Sequence, residues 1–376
     1  MRTLFITNSY LNGNGGGIYA TRTHINLFSE LSESMTLLYP YKSGEEPKDI
    51  NKSKICMIPV EDYRSNARKF FDLLFGKVHR FSINNVLLNK NIFDVVVFDS
   101  SVPSSGLVNT FKKAGIKIIT IHHNYQIEYL KGDGDILTLP MELFWTRIYE
   151  GQAVRNSNIN ITLTNQDIEL LKNHYCKTAK YAVLGVFDFI RRKIEKIADE
   201  PRLHRYVITG GLGSKQTEQS MLRWLRDYLP LLKDIDDKAV ITIAGSNPSD
   251  KLINAIRDND CRLIISPIDM SPILRDADYY ICPIDCGGGL KLRNMDGLKY
   301  GLPVLTHTVS SRGYEKMMEE GLLMKYDDID SFKRGVYALQ KISISKTKIQ
   351  EIYNKSYSFD SGLNKLYGIL VDSGIL

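Results

Sequence analysis

The densest set of residues able to do chemistry lies in the segment DYYICPIDCGGGLKLRNMDGLKYGLPVLTH, residues 278–307. An apolar run typical of a strand ends at Pro283, and three glycines follow it, Gly287, Gly288 and Gly289. Glycines let a backbone approach a ligand closely and adopt positive φ. A helix that opens after them would offer free N–H groups to a phosphate. The segment therefore predicts an anion site where a strand passes into a helix.

Charged residues follow these glycines in an order that suits a nucleotide. Lys291 and Arg293 are predicted to lie in the first helical turn, where cations oppose the helix dipole and a bound anion would offset that penalty. Asp296 comes seven residues after Gly289 and could accept hydrogen bonds from ribose hydroxyls. Together these residues predict a glycine loop that binds pyrophosphate, two cations that balance its charge, and an aspartate that binds the ribose. A plain glycine-rich turn with exposed basic residues is the alternative, which the order of the whole set disfavours.

The elements that must position these residues form two series. In the first half the predicted strands are RTLFIT, SMTLLYP, FDVVVFDSS, IKIITIHHN and NINITLTN. Such short, apolar, β-branched runs are typical of parallel strands buried on both faces. The glycine-rich loop LNGNGGG precedes a helical pattern, IYATRTHINLFSELS, and residues 139–156 predict another helix.

The pattern restarts after about residue 204, with strands predicted at YVITGG, KAVITIAGS, CRLIISP, DYYICPI and LPVLTH, and a helix at residues 220–232. Alternating strands and helices indicate βαβ units and a parallel sheet. We therefore predict an α/β protein of two facing Rossmann-like domains with a cleft between them. The predicted parts are residues 1–186, a linker 187–204, a domain 205–350 and a tail helix 351–376.

Composition narrows the class of protein. The 376 residues carry a net charge of +6, which suits an anionic small ligand or an anionic membrane surface. Five scattered cysteines favour reduced thiols, and Cys282 and Cys286 lack the partner pair that a zinc site needs. No run of residues is apolar enough to span a bilayer, and the N-terminal residues are typical of a buried strand and not of a signal peptide. We therefore expect a cytoplasmic protein.

The segment 278–307 resembles the donor-site signature of the retaining glycosyltransferases of family four, also called glycosyltransferase group one, which have the GT-B fold. The residues that fall in register with that signature are Gly287, Gly289, Lys291, Arg293, Asp296, Gly301, Pro303 and Val304. The resemblance extends over about residues 205–340. It continues more weakly through NGNGGGIYATR, ITIHHNYQIEYL and YEGQAVRNSNINITLTNQDIELL, and the final SYSFDSGLNKLYGIL is similar to the family's tail helix.

The resemblance implies hexosyl transfer with retention from a nucleotide-diphosphate sugar, with neither metal nor cofactor. Lys291 and Arg293 would stabilise the charge on the leaving diphosphate. His122 or His123 would contact the donor sugar or the reacting centre, and the sequence leaves open which of the two does so. The implied donor-binding residues are Gly15, Gly16, Gly17, Gly210, Gly211, Gly287, Gly288, Gly289, Leu290, Lys291, Arg293 and Asp296. We expect Lys215 to be a surface lysine.

The resemblance also implies a glycan or polyprenyl-linked glycan acceptor, as in the synthesis of capsule, exopolysaccharide or O-antigen. Residues 63–81, YRSNARKFFDLLFGKVHRF, mix basic and aromatic side chains. Such a helix either lies on the anionic inner face of the plasma membrane or packs its aromatic side chains on the first domain.

Two departures from the signature leave a catalytically degenerate nucleotide-binding, glycan-binding or scaffold protein as the alternative. Asp296 stands where the family has Glu, followed by Gly297 in place of Ala. Gly288 stands where many relatives have a second acidic residue, and Asp285 is three residues too early to replace it.

Two other classes fit the sequence less well. Nucleic acid is not an expected partner, because the basic charge is spread along the chain and no helix-turn-helix or RNP signature is visible. A dehydrogenase or epimerase would need G-x-G-x-x-G directly after the first strand, which residues 8–17 do not supply.

Overall fold

The computed structural model divides the chain into two compact units. One unit comprises Met1–Arg192 together with Ser358–Leu376, and the other comprises Lys193–Tyr357. The residues that the structure describes are 1–13, 15–41, 46–61, 65–76, 91–101, 106–133, 137–191, 197 and 202–376.

The first unit is built on a seven-stranded parallel sheet of order β3-β2-β1-β4-β5-β6-β7. Its strands are β1 Arg2–Thr7, β2 Ser34–Tyr41, β3 Ile55–Glu61, β4 Val95–Asp99, β5 Lys117–His122, β6 Ile159–Thr162 and β7 Tyr181–Val183. Every residue of β4 is buried, as expected for a strand covered on both faces. Because all strands run the same way, the ends of β4 and β5 place Asp99 and His122 at one edge of the sheet.

Helices cover this sheet. They are α1 Gly16–Leu31, α2 Asn66–Leu74, α3 Val108–Lys113, α4 Gln126–Asp133, α5 Leu139–Asn156 and α6 Asn165–His174. A 3₁₀ turn lies at Lys52–Lys54.

The second unit carries a six-stranded parallel sheet of order β10-β9-β8-β11-β12-β13. Its strands are β8 Arg205–Gly211, β9 Val240–Ser246, β10 Arg262–Ile265, β11 Tyr279–Cys282, β12 Val304–His307 and β13 Leu323–Tyr326. Its helices are α7 Lys215–Asp227, α8 Leu229–Ile235, α9 Asp250–Asp258, α10 Ser271–Asp276, α11 Arg293–Lys299, α12 Glu315–Glu319, α13 Ile329–Gln340 and α14 Lys346–Tyr357. A 3₁₀ turn follows β12 at Thr308–Ser311. The two sheets confirm the α/β class predicted from the sequence.

The chain returns to the first unit in its last helix, α15 Phe359–Asp372, which packs on α1. Gly362 of α15 lies so close to the ring of Phe187 that a Cβ there would be 2.6 Å from it. Phe187 is only 4% exposed and belongs to the core of the first unit. The predicted linker therefore begins too early, because this aromatic side chain is core. The division between the units at Tyr357 also lies later than the predicted boundary at residue 350.

The predicted helix over residues 220–232 is interrupted in the structure. Helix α7 ends at Asp227, and α8 begins at Leu229 with Pro230 in its first turn. Proline lacks an amide N–H and clashes with the preceding turn, so it starts a helix more readily than it continues one.

Candidate functional site

The helix that follows the glycine-rich loop after β11 begins later in the chain than the sequence predicts. Helix α11 begins at Arg293, so Lys291 precedes the helix and Asp296, rather than Lys291, lies in its first turn. The expectation that the glycines open the helix is therefore wrong. Gly287 and Gly289 have φ of +85° and +71°, a conformation that interrupts a right-handed helix.

Arg293 ties this loop to the end of β8. Its guanidinium donates to the carbonyl oxygens of Thr209 and Gly211, at 3.2 and 2.6 Å, and to Thr217 Oγ1 at 3.0 Å. It lies across Gly210, which has φ of +128° and where a Cβ would be 2.7 Å from Arg293 Cζ. Gly210 therefore makes room for the guanidinium.

Lys291 is a half-buried cation beside Arg293. Its Nζ donates to Gly288 O at 3.1 Å, and its own carbonyl accepts from Tyr314 Oη at 2.9 Å. Burial lowers the pKa of Lys291, and the charges of Arg312 and Arg293 lower it further. Within the described part of the chain, neither Lys291 nor Arg293 lies within 4 Å of a carboxylate oxygen. Among the described residues these two cations therefore lack a carboxylate partner, which suits a phosphate ligand.

Gln216 is a member of this site that the sequence analysis did not single out. A Cβ at Gly287 would overlap Gln216 Oε1 and would lie 3.1 Å from Lys291 Nζ. The Nε2 atom of Gln216 is buried and has no hydrogen-bond partner in the described structure. Gln216 could have been found from the sequence, because it lies in the first turn of α7, directly after the glycine turn that ends β8. Lys215 beside it is exposed, as expected.

The acidic residues of the signature take different positions. Asp285 is bound to Arg223 by two hydrogen bonds of 2.5 and 2.6 Å and accepts from Ser220 Oγ at 2.7 Å. These partners lower the pKa of Asp285 against the opposing effect of burial. Asp285 is thus already paired, and Asp296 lies on the exposed side of α11.

Gly297, which departs from the family's alanine, has a packing explanation. A Cβ at Gly297 would lie 2.6 Å from the ring of Tyr280 on β11. The Tyr280 hydroxyl in turn pairs with Thr209 Oγ1 at 2.8 Å. The larger aromatic side chain on the strand therefore takes the space that alanine would need.

In the first unit, the predicted glycines 15–17 lie at the start of α1. Gly15 is the N-cap and Gly16 and Gly17 form the first turn; all three are exposed, with neither an acidic side chain nor a side-chain cap at this end. Arg22 on the same helix donates to Leu11 O at 2.6 and 3.0 Å and to Gly13 O at 2.7 Å. This buried arginine holds the loop in place, a role that its position in the sequence did not reveal.

The structure separates the two candidate histidines. His122 is 1% exposed, its Nε2 lies 3.0 Å from Asn160 Oδ1, and its Nδ1 lies 3.8 Å from the buried carboxylate of Glu150. The His123 side chain is 15% exposed and its Nε2 lies 2.7 Å from Asp99 Oδ1. His122 is the last residue of β5 and is buried in the protein, whereas His123 lies just beyond the strand and is the accessible one of the pair.

Asp99 joins His123 to a second buried histidine, His24 on α1. One ligand atom from each of the three side chains lies within 4.8 Å of the others, a spacing that a metal ion could bridge. The 2.7 Å between His123 and Asp99 is nevertheless that of a direct hydrogen bond. Among the described residues, no such group of three includes Cys282 or Cys286, and both are free thiols.

An exposed aromatic surface lies on α2 and the start of α5. Phe71 and Phe75 are 57% and 75% exposed, and Phe144 of α5 is 58% exposed. The end of α2 is held to α5, because Tyr149 Oη donates to Gly76 O at 2.5 Å. Residues 63, 64 and 77–81 of the predicted membrane-binding segment lie outside the described ranges, and residues 65–76 lie within them.

Comparison with known proteins agrees with these observations. Residues 203–341 match the model of the family Glycosyl transferases group 1. The second unit is a glycosyltransferase group 1 domain. The whole chain is 22% identical over 375 residues to an uncharacterized 44.6 kDa protein in the cps region of Klebsiella pneumoniae, covering 93% of this chain and 95% of that protein.

Solved structures similar to this chain identify the fold. One is sucrose-phosphate synthase from Thermosynechococcus elongatus, with a TM-score of 0.70 at 10% identity, covering 99% of both chains. Another is HepE from Anabaena in complex with UDP and glucose, with a TM-score of 0.64 at 10% identity, covering 99% of this chain and 100% of that one. The glycosyltransferase domain thus belongs to a chain with the GT-B fold. Among its described helices, none combines the length and apolarity that crossing a bilayer requires.

Proposed function

We propose that this protein transfers a hexose, with retention, from a nucleotide-diphosphate sugar to a glycan or lipid-linked glycan. The observation that carries the proposal is a pair of cations, Lys291 and Arg293, that has no carboxylate partner in the described part of the chain and follows β11 of a glycosyltransferase group 1 domain. A diphosphate would supply the missing negative charge. The HepE structure, which holds UDP and glucose, favours a UDP-sugar as the first donor to test.

In the proposed reaction, the bond between the anomeric carbon and the diphosphate oxygen breaks, and its electron pair goes to the leaving diphosphate. The acceptor hydroxyl forms the new bond on the same face of the sugar, and its proton passes to a diphosphate oxygen. Lys291 and Arg293 stabilise the charge that grows on the phosphate. Preorganised donors of this kind are worth roughly 2.7–4 kcal/mol each. No step requires a metal ion.

His123 is the side chain that we propose contacts the donor sugar. It is the accessible histidine of the pair, whereas His122 is engaged with Asn160 and Glu150 inside the protein. The exposed N–H groups at the start of α1, around Gly16 and Gly17, are proposed to contact donor phosphate.

Thermal unfolding with UDP, GDP, ADP, dTDP and CMP, each with and without EDTA, tests the donor site. A ligand at a hundred times its dissociation constant adds about 2.7 kcal/mol to the free energy of unfolding. We expect UDP to raise the Tm by several degrees in the presence of EDTA. Lys291→Gln and Arg293→Gln should abolish the shift, whereas Lys333→Gln, an exposed lysine on α13, should leave it intact.

The result that overturns the donor site is the absence of stabilisation by every nucleotide. Stabilisation without turnover of any UDP-sugar would instead favour a nucleotide-binding role, in line with Gly288 at the second acidic position of the signature.

For the acceptor, the relative from a cps region supports a role in cell-surface polysaccharide synthesis. We propose that the protein works at the inner face of the plasma membrane and binds anionic lipid through α2. The exposed aromatic side chains Phe71 and Phe75 would enter the interface, and the exposed Arg68 and Lys69 on the same helix would meet lipid phosphates.

Sedimentation with liposomes tests this surface. The protein should pellet with vesicles that contain anionic lipid and should stay in the supernatant with neutral vesicles. Phe71→Ser should weaken binding about tenfold or more, since burying a phenylalanine is worth about 1.5–3 kcal/mol. Tyr337→Ser is the control, because Tyr337 is 51% exposed and lies in the other unit. Equal binding of the two variants would rule out α2 as the contact.

A further inference from the structure

Asp99 receives four hydrogen bonds at the end of β4. Its Oδ2 accepts from Thr7 Oγ1 at 2.9 Å and from Thr21 Oγ1 at 2.6 Å. Its Oδ1 lies 2.7 Å from His123 Nε2 and 3.4 Å from His24 Nδ1. The carboxylate is 2% exposed. A buried charge with this many donors is a fixed feature of the fold, and its geometry determines how each partner can point.

The state of His123 follows from this contact. Burial opposes ionisation of Asp99, but the charges and hydrogen bonds of His123 and His24 keep the pKa of Asp99 far below its usual range, so it is an ionised acceptor. His123 Nε2 must therefore carry the hydrogen. Within the described residues, Nδ1 of His123 makes no hydrogen bond. The ring thus has one nitrogen fixed inside the protein and one available to a ligand.

His24 completes the cluster from α1. Its ring packs edge-to-face on that of His123, with centroids 5.5 Å apart and planes at 81°. Burial lowers the pKa of His24, and its Nδ1 lies 3.4 Å from Asp99 Oδ1. Of the titratable groups in the described ranges, those in contact with His123 are Asp99 from β4 and His24 from α1.

We propose that Asp99 is a positioning residue, which with the support of His24 fixes the His123 ring so that its Nδ1 meets the transferring sugar. The proposal rests on the proposed function in one respect only, namely that His123 contacts substrate. Asp99 itself is too buried to touch a substrate. Its effect is on the orientation and charge of His123, which places the Nδ1–H of an imidazolium where it can donate a hydrogen bond.

Nuclear magnetic resonance of the histidine side chains in the full chain measures this directly. The His123 signal is assigned by its loss in His123→Gln. In the unaltered protein we expect Nε2 to be protonated at every pH and the pKa of His123 to be above its ordinary value, because Asp99 outweighs the effect of burial. In Asp99→Asn the partner's charge is gone but burial remains, so the pKa should fall below the ordinary value.

Thr21→Val is the matched control. It removes the hydrogen bond to Asp99 Oδ2 and the one between Thr21 Oγ1 and Ser9 Oγ, keeps a side chain of similar volume, and leaves the contact between Asp99 and His123 in place. It should lower stability without altering the tautomer or pKa of His123. In turnover of UDP-glucose, Asp99→Asn should lower kcat by up to about 100-fold with little change in KM, since misplacement of a catalytic group costs that much. Thr21→Val should leave kcat within about threefold.

The outcomes separate the two proposals. Failure of UDP to stabilise the protein would overturn the proposed donor site and leave the resonance result to decide the role of Asp99. A His123 that titrates alike in Asp99→Asn and in the unaltered protein would overturn the positioning role. So would a kcat in Asp99→Asn that matches that of Thr21→Val. If Asp99→Asn does not fold, Asp99→Glu takes its place, and restoration of the raised pKa without normal kcat would support a role in orientation.

Discussion

Gly210→Ala is the substitution that most directly tests how the cations of the second unit are held. The new methyl group would lie 2.7 Å from both Cζ and Nε of Arg293, well inside van der Waals contact. Gly210 also has φ of +128°, which alanine adopts only with strain of about 1–3 kcal/mol. The guanidinium would be displaced from Thr209 O and Gly211 O, and hydrogen bonds to charged groups are worth about 1.5–3 kcal/mol each.

Since a displaced guanidinium regains water, we expect a net loss of about 3 kcal/mol. For a unit of this size, each kcal/mol lowers the Tm by roughly 2–4 °C, so the Tm of the second unit should fall by roughly 6–12 °C. Stabilisation by UDP should also be lost, because Arg293 no longer lies beside Lys291. The assay is thermal unfolding with and without UDP.

Gly211→Ala is the internal control for this prediction. A Cβ at Gly211 would meet only Ser246 Oγ, at 4.0 Å, and its backbone is not in the left-handed region. It should change the Tm measured without UDP by no more than a degree or two. If the two variants behave alike, or if Gly210→Ala keeps both its Tm and its response to UDP, the argument that Gly210 seats Arg293 is refuted.

Further predictions concern other contacts. Gly297→Ala should destabilise the second unit by about 1–3 kcal/mol through overpacking against Tyr280, and Tyr280→Leu in the same chain should relieve much of that loss, as a double-mutant cycle of chemical denaturation would show. Arg22→Met should leave the core of the first unit folded but free the loop carbonyls of Leu11 and Gly13, so limited proteolysis should cut that loop faster than in a chain with Lys113→Met. The extra stability that Asp99 gives through His123 should be present at low pH and lost as pH rises through the raised pKa of His123, so the Tm difference between the unaltered protein and Asp99→Asn should be larger at pH 6 than at pH 9.

Much of the fold could be predicted because its strands are short apolar runs with clear boundaries. The strands not predicted, β3, β7 and β13, are edge strands of their sheets. Strands β7 and β13 are only three and four residues long, and β3 contains Pro59 and has mostly half-buried or exposed side chains. The break between α7 and α8 was also missed, although Pro230 was visible in the sequence.

The candidate site was predictable only as far as local pattern reaches. The glycines and cations of residues 287–293 could be recognised from their spacing in the sequence. Arg293 packs against Gly210, which is far from it in the chain, and no local sequence pattern at either residue predicts this contact. The distinction between His122 and His123 depends on where β5 ends, at His122, and on the contact of His123 with Asp99 at the end of the neighbouring strand.

The contact between Gly76 and α5 also provides an optical probe. The chain has two tryptophans, and Trp145 lies against Gly76, at the end of α2, where it stacks on Tyr149. The other, Trp224, is 1% exposed within the core of the second unit. Each unit therefore carries one intrinsic fluorophore, and quenching by a water-soluble reagent should affect Trp145 far more than Trp224. Emission from Trp145 would report on the aromatic surface, while that from Trp224 would follow the folding of the glycosyltransferase domain.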